Sequence, residues 1–200
     1  MATTTKRIKR VKENICEASY NKLMTTLKGG YLNKRPNSIN NFMRWTAIAY
    51  HTGLRCNEVQ ALSIKNIRQL VNDKRTKVTI SKTSNERVLY ASDNFVKVLK
   101  SLFDLSSEDD DNLVICSERN KNKRSGINHI TFIQQINKFI HYVLGDGYSS
   151  HSMRQNRITS IANQGVSAKH IAIFMNIDVK TALNYIRPSE EDIIKSCLIA

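Results

Sequence analysis

Residues 77–91 read KVTISKTSNERVLYA, and their pattern differs from that of the chain around them. Two short runs, KVTIS at 77–81 and RVLYA at 87–91, are rich in β-branched and aromatic residues, and the polar segment KTSNE joins them. This arrangement predicts an antiparallel hairpin. The sheet is expected to be either this hairpin alone or a three-stranded sheet, with the third strand near IRQLV at 67–71.

The segments on both sides of the hairpin have helical patterns. Apolar residues recur every three or four positions before it, and again in a long segment that ends at Gly145. The predicted helices are 18–27, 39–50, 54–64, 93–104, 132–143 and three or four short helices from residue 151 onward. The expected fold class is therefore mainly α with a small antiparallel β-sheet (α+β).

Length and composition limit the architecture. The chain has 200 residues, of which 40% are hydrophobic, and this is enough for one well-packed domain and hardly enough for two. Only 7 glycines and 2 prolines are present, so flexible linkers and a turn-rich all-β fold are disfavoured.

The charge of the chain predicts a polyanionic partner. Lysine and arginine number 31 against 17 acidic residues, and the acidic run EDDD at 108–111 leaves the rest of the surface still more basic. Such an excess is typical of proteins that bind nucleic acid. We find no 18-residue apolar stretch, signal peptide or lipidation motif, so we expect a cytoplasmic protein without a membrane partner.

The four cysteines are scattered and form no Cys-x-x-Cys pair, which favours reduced thiols over a disulfide framework. No set of metal ligands is visible, and we expect neither a metal nor a cofactor. At the N terminus, residues 1–17 are predicted to be a basic arm, with five basic residues between Lys6 and Lys12. This arm either is solvated surface or contacts DNA.

Four separate segments carry residue types suited to phosphate chemistry. They are TGLRCNE at 52–58 with Arg55, the hairpin turn with Lys82, HSMR at 151–154, and NYIRPS at 184–189 with Tyr185. His151 and Arg154 are three residues apart, so they share one face of a helix and can reach the same group. Arginines stabilise the negative charge that develops on a phosphate under attack. A tyrosine can form a covalent phosphate ester, and a lysine can protonate the leaving oxygen.

In their order and spacing these segments resemble the catalytic domain of the tyrosine recombinases, the phage integrase family. The resemblance runs from about residue 18 to Tyr185. It implies an active site of Arg55, Lys82, His151, Arg154, Asn176 and Tyr185. Nine residues before the tyrosine, most members have histidine or tryptophan after a glycine, whereas this chain has Asn176 after Met175. An asparagine amide can donate a hydrogen bond but cannot carry a proton.

The resemblance also implies a function and an assembly. It implies site-specific recombination of double-stranded DNA through a 3′-phosphotyrosine, with integration, excision or inversion as the outcome. We expect a catalytic domain at 18–200, a monomer in solution, and a tetramer on paired sites. The tail at 187–200 is expected to be exchanged between protomers, and accessory DNA-bending or directionality proteins are expected partners. The N-terminal clamp domain of the family has no counterpart in the 17 residues before the first predicted helix, so the chain resembles the short recombinases of fimbrial switches, or else a fragment or a protein that borrows this domain from a partner.

Two other functions stay open at this level. A type IB topoisomerase uses the same arginine, lysine and tyrosine chemistry but releases DNA without exchange. Alternatively, the departure at Asn176 fits a DNA-binding regulator of recombination whose active site has decayed.

Overall fold

The structure, a computed structural model, describes residues 13–31, 34–80, 85–117 and 125–186. In chain order its elements are α1 (Glu17–Lys28), α2 (Pro36–Thr52), α3 (Cys56–Gln60), α4 (Ile64–Asn72), β1 (Arg75–Ile80), β2 (Asn85–Tyr90), α5 (Asp93–Leu102), α6 (His129–Leu144), α7 (Ser150–Ala162), α8 (Ala168–Met175) and α9 (Val179–Tyr185). The predicted fold class, helical with a small antiparallel sheet, is confirmed.

The predicted hairpin is present, and of the two alternatives for the sheet the three-stranded one is wrong. Strands β1 and β2 pair antiparallel, with Lys77 opposite Val88 and Val78 opposite Arg87. Residues 67–71 lie in α4, so the sheet in the described part of the chain has two strands. The apolar residues there lie on one face of a helix, because the buried residues Ile64, Ile67 and Leu70 recur every three positions.

The predicted helix at 54–64 is divided. Helix α3 ends at Gln60, and α4 begins at Ile64. Between them Ser63 forms an isolated antiparallel bridge with Leu113. The side chain of Asn66 accepts a hydrogen bond from the Ser63 backbone nitrogen at 3.0 Å, which fixes the start of α4.

Most of the helices pack around α2, whose apolar face lies in the main core. Trp45 and Phe42 on α2 are almost fully buried, and Phe42 contacts Phe132 and Phe139 on α6 at ring distances of 5.9 and 5.7 Å. Aromatic packing of this kind stabilises a core through both burial and ring geometry. The helix α6 is therefore fixed against α2, and α6 in turn supports the start of α7.

The acidic run at 108–111 is partly neutralised by basic side chains of the helices. Arg44 Nη2 lies 2.6 Å from Glu108 Oε1, and Arg68 Nε lies 2.8 Å from Asp110 Oδ1. The Glu108 side chain is only 7% exposed, so its ion pair with Arg44 is largely shielded from solvent. This loop is consequently bound to α2 and α4.

A second, smaller hydrophobic cluster lies in α7, α8 and α9. It contains Ile158, Ile171, Met175 and Ala182, with Tyr185 packed against it. Helix α7 connects the two clusters, because Met153 near its start belongs to the main core and Ile158, five residues later, belongs to the second cluster. Arg154 lies between these two residues, at the junction.

The helices among the described residues are too short or too polar to cross a membrane. The same part of the chain has no cluster of three or more histidine, cysteine, aspartate or glutamate side chains able to hold a metal ion. The basic segment 1–12, the tail 187–200 and the hairpin turn with Lys82 lie outside the described residues.

Candidate active site

The turn between α2 and α3 presents Arg55. Helix α2 ends at Gly53, which has a left-handed backbone with φ of 65° and donates its N–H to Ala49 O at 2.8 Å. Glu58 accepts hydrogen bonds from Arg55 N at 2.7 Å and from Arg55 Nη1 at 2.8 Å. The carboxylate is buried, whereas the Arg55 side chain is 38% exposed. Glu58 therefore holds Arg55 at its backbone nitrogen and at one guanidinium nitrogen, and the guanidinium has further N–H donors for a ligand.

His151 and Arg154 lie on α7, as the helical spacing predicted. The start of α7 is fixed because Ser150 N donates to Asn137 Oδ1 on α6 at 2.8 Å. His151 is exposed, while Arg154 is only 3% exposed. The two side chains thus share a helix face but differ strongly in burial.

Arg154 joins segments that are distant in sequence. Its Nη1 donates to Gly53 O at 2.7 Å and lies 3.8 Å from Glu58 Oε2. Its Nη2 donates to Met175 O at 2.9 Å. A planar guanidinium can make both bonds at once, so Arg154 fixes the Gly53 turn relative to the end of α8.

Arg55, His151 and Arg154 line one cavity of about 140 Å³. His129 at the start of α6 lines it as well. Its Nδ1 lies 3.0 Å from Gln60 Oε1, and Gln60 Nε2 donates to Ile127 O at 2.9 Å. Since the Gln60 oxygen can only accept, Nδ1 of His129 carries the proton. Sequence reasoning missed His129, because no helical spacing relates it to His151.

Asn176 lies outside that cavity. It has a left-handed backbone with φ of 48° and ends α8. Ile177 N donates to Ala172 O at 2.9 Å, which closes a Schellman-type turn. Asn176 lines a separate, open depression formed with Ile173, Val179 and Glu86. Its connection to the cavity is through Met175, whose carbonyl binds Arg154.

Tyr185 is the last residue of α9 and is partly buried. Its carbonyl oxygen accepts a hydrogen bond from Thr159 Oγ1 on α7 at 3.4 Å. Tyr185 does not line the cavity of Arg55 and Arg154, but it is close enough to Arg154 to raise the pKa of that guanidinium electrostatically. Tyr185 therefore lies on the side of the second cluster, within electrostatic reach of Arg154.

Burial and neighbouring charges lower the pKa values of Arg154 and His151. Burial of Arg154 lowers its pKa to about 10, with a further lowering by Arg55, so it is still cationic at neutral pH. Although His151 is exposed as a residue, burial of its imidazole and then the charges of Arg154 and Arg55 lower its pKa. His151 is consequently a neutral imidazole at pH 7.

A comparison with protein-family models covers the part of the chain that holds these residues. Residues 13–191 match the model of the phage integrase family. The chain belongs to the phage integrase family. The matched range contains the positions of Arg55, His151, Arg154 and Tyr185 and covers all of the described residues. No curated protein sequence matches the chain significantly.

Solved structures of two recombinases and one integrase share the fold. The crystal structure of XerA recombinase superimposes with a TM-score of 0.69 at 18% identity, over 92% of this chain and 63% of that one. The Tn1549 transposon integrase in complex with a circular intermediate DNA gives 0.66 at 13% identity, over 94% and 66%. XerH recombinase bound to palindromic difH substrate, a post-cleavage complex, gives 0.67 at 14%, over 92% and 51%. This chain therefore spans about two thirds or less of the length of these proteins.

Proposed function

We propose that this chain is a site-specific DNA recombinase that cleaves and rejoins double-stranded DNA through a 3′-phosphotyrosine at Tyr185. The observation that carries the proposal is the shared cavity of Arg55, His151 and Arg154, with Tyr185 electrostatically coupled to Arg154. Membership of the phage integrase family supports it, as do the DNA complexes of the Tn1549 integrase and XerH.

In the proposed reaction Arg55 and Arg154 hold the scissile phosphate. Tyr185 Oη attacks phosphorus, the bond to the 5′ oxygen breaks, and the 3′ phosphate stays on the tyrosine. Two guanidiniums stabilise the extra negative charge of the transition state, where their effect on the rate is largest. The ester keeps the energy of the broken bond, so rejoining to a second 5′ hydroxyl needs no nucleotide.

Two protons must move in this scheme. The neutral imidazole of His151 is the candidate acceptor for the phenolic proton, because its lowered pKa keeps it unprotonated. Lys82 is the candidate donor to the departing 5′ oxygen. Asn176 is assigned a hydrogen bond to a phosphate oxygen through its amide.

The proposal extends to assembly. The basic arm 1–17 contacts the DNA backbone, and the domain 18–200 carries the chemistry in the cytoplasm. The protein is a monomer in solution and a tetramer on two paired sites, where the tails 187–200 are exchanged and DNA-bending or directionality proteins assist. The net charge of +14 supports a DNA partner with strongly salt-dependent affinity.

A suicide DNA substrate tests the proposal. Its nick lets the freed 5′ end diffuse away, so a competent enzyme accumulates as a covalent adduct. We expect the wild-type protein to form a 3′-phosphotyrosine adduct at Tyr185 in EDTA without ATP. Tyr185→Phe should abolish the adduct and keep DNA affinity, since only the attacking oxygen is removed.

Three results would contradict the proposal. An adduct that survives Tyr185→Phe would assign the nucleophile elsewhere. No adduct on any DNA, including DNA with the repeats that flank its own coding sequence, would favour a regulator without catalysis. An adduct without strand exchange between two sites would favour a topoisomerase.

A further inference from the structure

Arg87 on β2 reaches from the hairpin into the junction of the two hydrophobic clusters. It is 3% exposed. Its Nη2 donates to Thr52 O at 2.8 Å and lies 3.3 Å from Met175 Sδ. Its guanidinium carbon lies 5.5 Å from the centre of the Phe174 ring. A strand residue thus contacts both the turn before Arg55 and the helix end before Asn176.

Arg154, on α7, contacts the same two segments. It donates to Gly53 O, next to the carbonyl that Arg87 binds, and to the backbone oxygen of Met175. Two arginines on different elements therefore connect one turn to one methionine. Together they set the distance between the segment that presents Arg55 and the segment that presents Asn176.

Arg87 is poorly compensated for a buried cation. Its Nε and Nη1 have no hydrogen-bond partner among the described residues. The described charged groups that act on it are Glu58 and the arginines at 55, 154 and 157. A buried cation among other cations, with unpaired donors, costs folding free energy. Apolar packing at this position would avoid that cost.

We propose that Arg87 is a positioning residue for phosphoryl transfer, an inference that rests on the proposed function. It holds the Thr52–Gly53 turn and Met175 at a fixed separation, so that Arg55 and Arg154 face one phosphate. Its charge, next to that of Arg154, favours the additional negative charge of the transition state. A fixed arrangement of cations lowers the barrier because no reorganisation is needed during the reaction.

A purely structural role makes a different prediction. If Arg87 only stabilised the fold, its replacement would lower thermal stability, DNA affinity and cleavage rate together. If Arg87 is a positioning residue that costs stability, its replacement lowers the cleavage rate alone. The ratio of rate to affinity therefore distinguishes the two roles.

The experiment replaces Arg87 by methionine, which keeps the length and removes charge and donors. Arg87→Lys keeps the charge but cannot bridge two segments. Arg75→Met on the exposed part of β1 is the matched control. The measurements are the single-turnover cleavage rate of suicide DNA, the DNA dissociation constant in a Tyr185→Phe background, and the melting temperature.

We expect Arg87→Met to cleave about tenfold more slowly or worse, with DNA affinity within about twofold of wild type and a melting temperature equal or higher. The cleavage rate of Arg87→Lys should lie between those of wild type and Arg87→Met, and Arg75→Met should cleave at the wild-type rate. Cleavage by Arg87→Met at the wild-type rate would overturn the inference, as would a parallel loss of rate, affinity and stability. Should the methionine variant not fold, wild-type cleavage by Arg87→Lys would overturn it.

A second readout separates this inference from the proposed function. If wild-type protein forms the adduct and Arg87→Met forms it equally fast, the inference fails and the function stands. If wild-type protein forms no adduct, the function fails, and orthovanadate, a mimic of the transferring phosphate, tests the cation cluster directly. A smaller rise in melting temperature with orthovanadate for Arg87→Met than for wild type supports the inference, and an equal rise overturns it.

Discussion

Met175 packs directly over Gly53. A Cβ atom built on Gly53 would lie 2.7 Å from Met175 Cε and 3.1 Å from Arg157 Cβ. Gly53 also has φ of 65°, a conformation that residues with a side chain rarely adopt. Gly53 O accepts a hydrogen bond from Arg154, and Gly53 lies two residues before Arg55. The contact with Met175 therefore couples the packing of α8 to the positions of Arg55 and Arg154.

Gly53→Ala should therefore lower both stability and cleavage. We expect a loss of roughly 1–3 kcal/mol in the free energy of unfolding, and a lower cleavage rate because Arg55 and Arg154 move apart. Gly165→Ala is the matched control, since Gly165 has φ of 80° and open space around its Cα. Urea denaturation of both variants isolates the steric part. Equal losses in the two variants would show that the Met175 contact is unimportant.

Arg154→Lys and Arg55→Lys should differ in stability although both reduce cleavage. Lysine at 154 cannot donate to Gly53 O and Met175 O together, so a buried acceptor loses its partner at a cost of about 1–3 kcal/mol. Arg55→Lys can keep a cation beside the buried Glu58 carboxylate and leaves the bond from the Arg55 backbone nitrogen in place, and the Arg55 side chain is 38% exposed, so we expect a smaller loss of unfolding free energy. Adduct rates and urea denaturation measure the two effects. Equal destabilisation of the two variants would contradict the burial argument.

Asn176 combines a backbone requirement with a donor, and two substitutions separate them. Asn176→Gly suits the left-handed backbone at φ of 48° but has no amide, so we expect equal or higher stability with slower cleavage. Asn176→His retains a donor that can be charged, so we expect faster cleavage than wild type. Adduct formation and thermal melting provide the readouts. Cleavage by Asn176→Gly at the wild-type rate would show that the Asn176 amide has no role in the reaction.

His129 should contribute to DNA cleavage because it lines the cavity of Arg55 and Arg154. We expect His129→Ala to weaken cleavage several-fold without loss of stability, since the side chain is exposed. Gln60→Ala should have a smaller effect in the same direction, because it removes the acceptor that orients the imidazole. His170→Ala, an exposed histidine on α8, is the control. Identical rates for the variants at 129 and 170 would exclude His129 from the site.

His51 should make stability fall at acidic pH. Burial and then the charge of Arg157 lower its pKa from 6.5 to about 4. Below pH 6.5 the unfolded chain takes up a proton that the folded protein refuses until about pH 4, so the free energy of unfolding falls between these values. The loss attributable to His51 reaches about 3 kcal/mol at pH 4.

The measurement for His51 is urea denaturation at pH 7 and pH 4.5. His51→Gln should flatten the dependence on pH, because glutamine takes up no proton. His170→Gln replaces an exposed histidine in the same way and should leave the dependence unchanged. An unchanged slope in His51→Gln would show that the imidazole is protonated in the folded protein.

The local patterns of the sequence determined the fold class and most of the elements. Two β-branched runs joined by a polar segment predicted the hairpin, and apolar spacing predicted α2 and α6, because both signals come from residues that are close in sequence. The pair at 151 and 154 follows from helical geometry alone. The segment 67–71 left a third strand open, because a short segment with isoleucine, leucine and valine has the same composition in a strand and in a helix.

Only the tertiary structure decided which arginines are buried and what they contact. The bonds of Arg154 to Gly53 O and of Arg87 to Thr52 O join residues 101 and 35 positions apart, so no local pattern records them. The same holds for His129, which reaches the cavity because α6 packs beside α3. Burial depends on contacts between distant segments, and these arise only when the hairpin, α2, α7 and α8 meet at one junction.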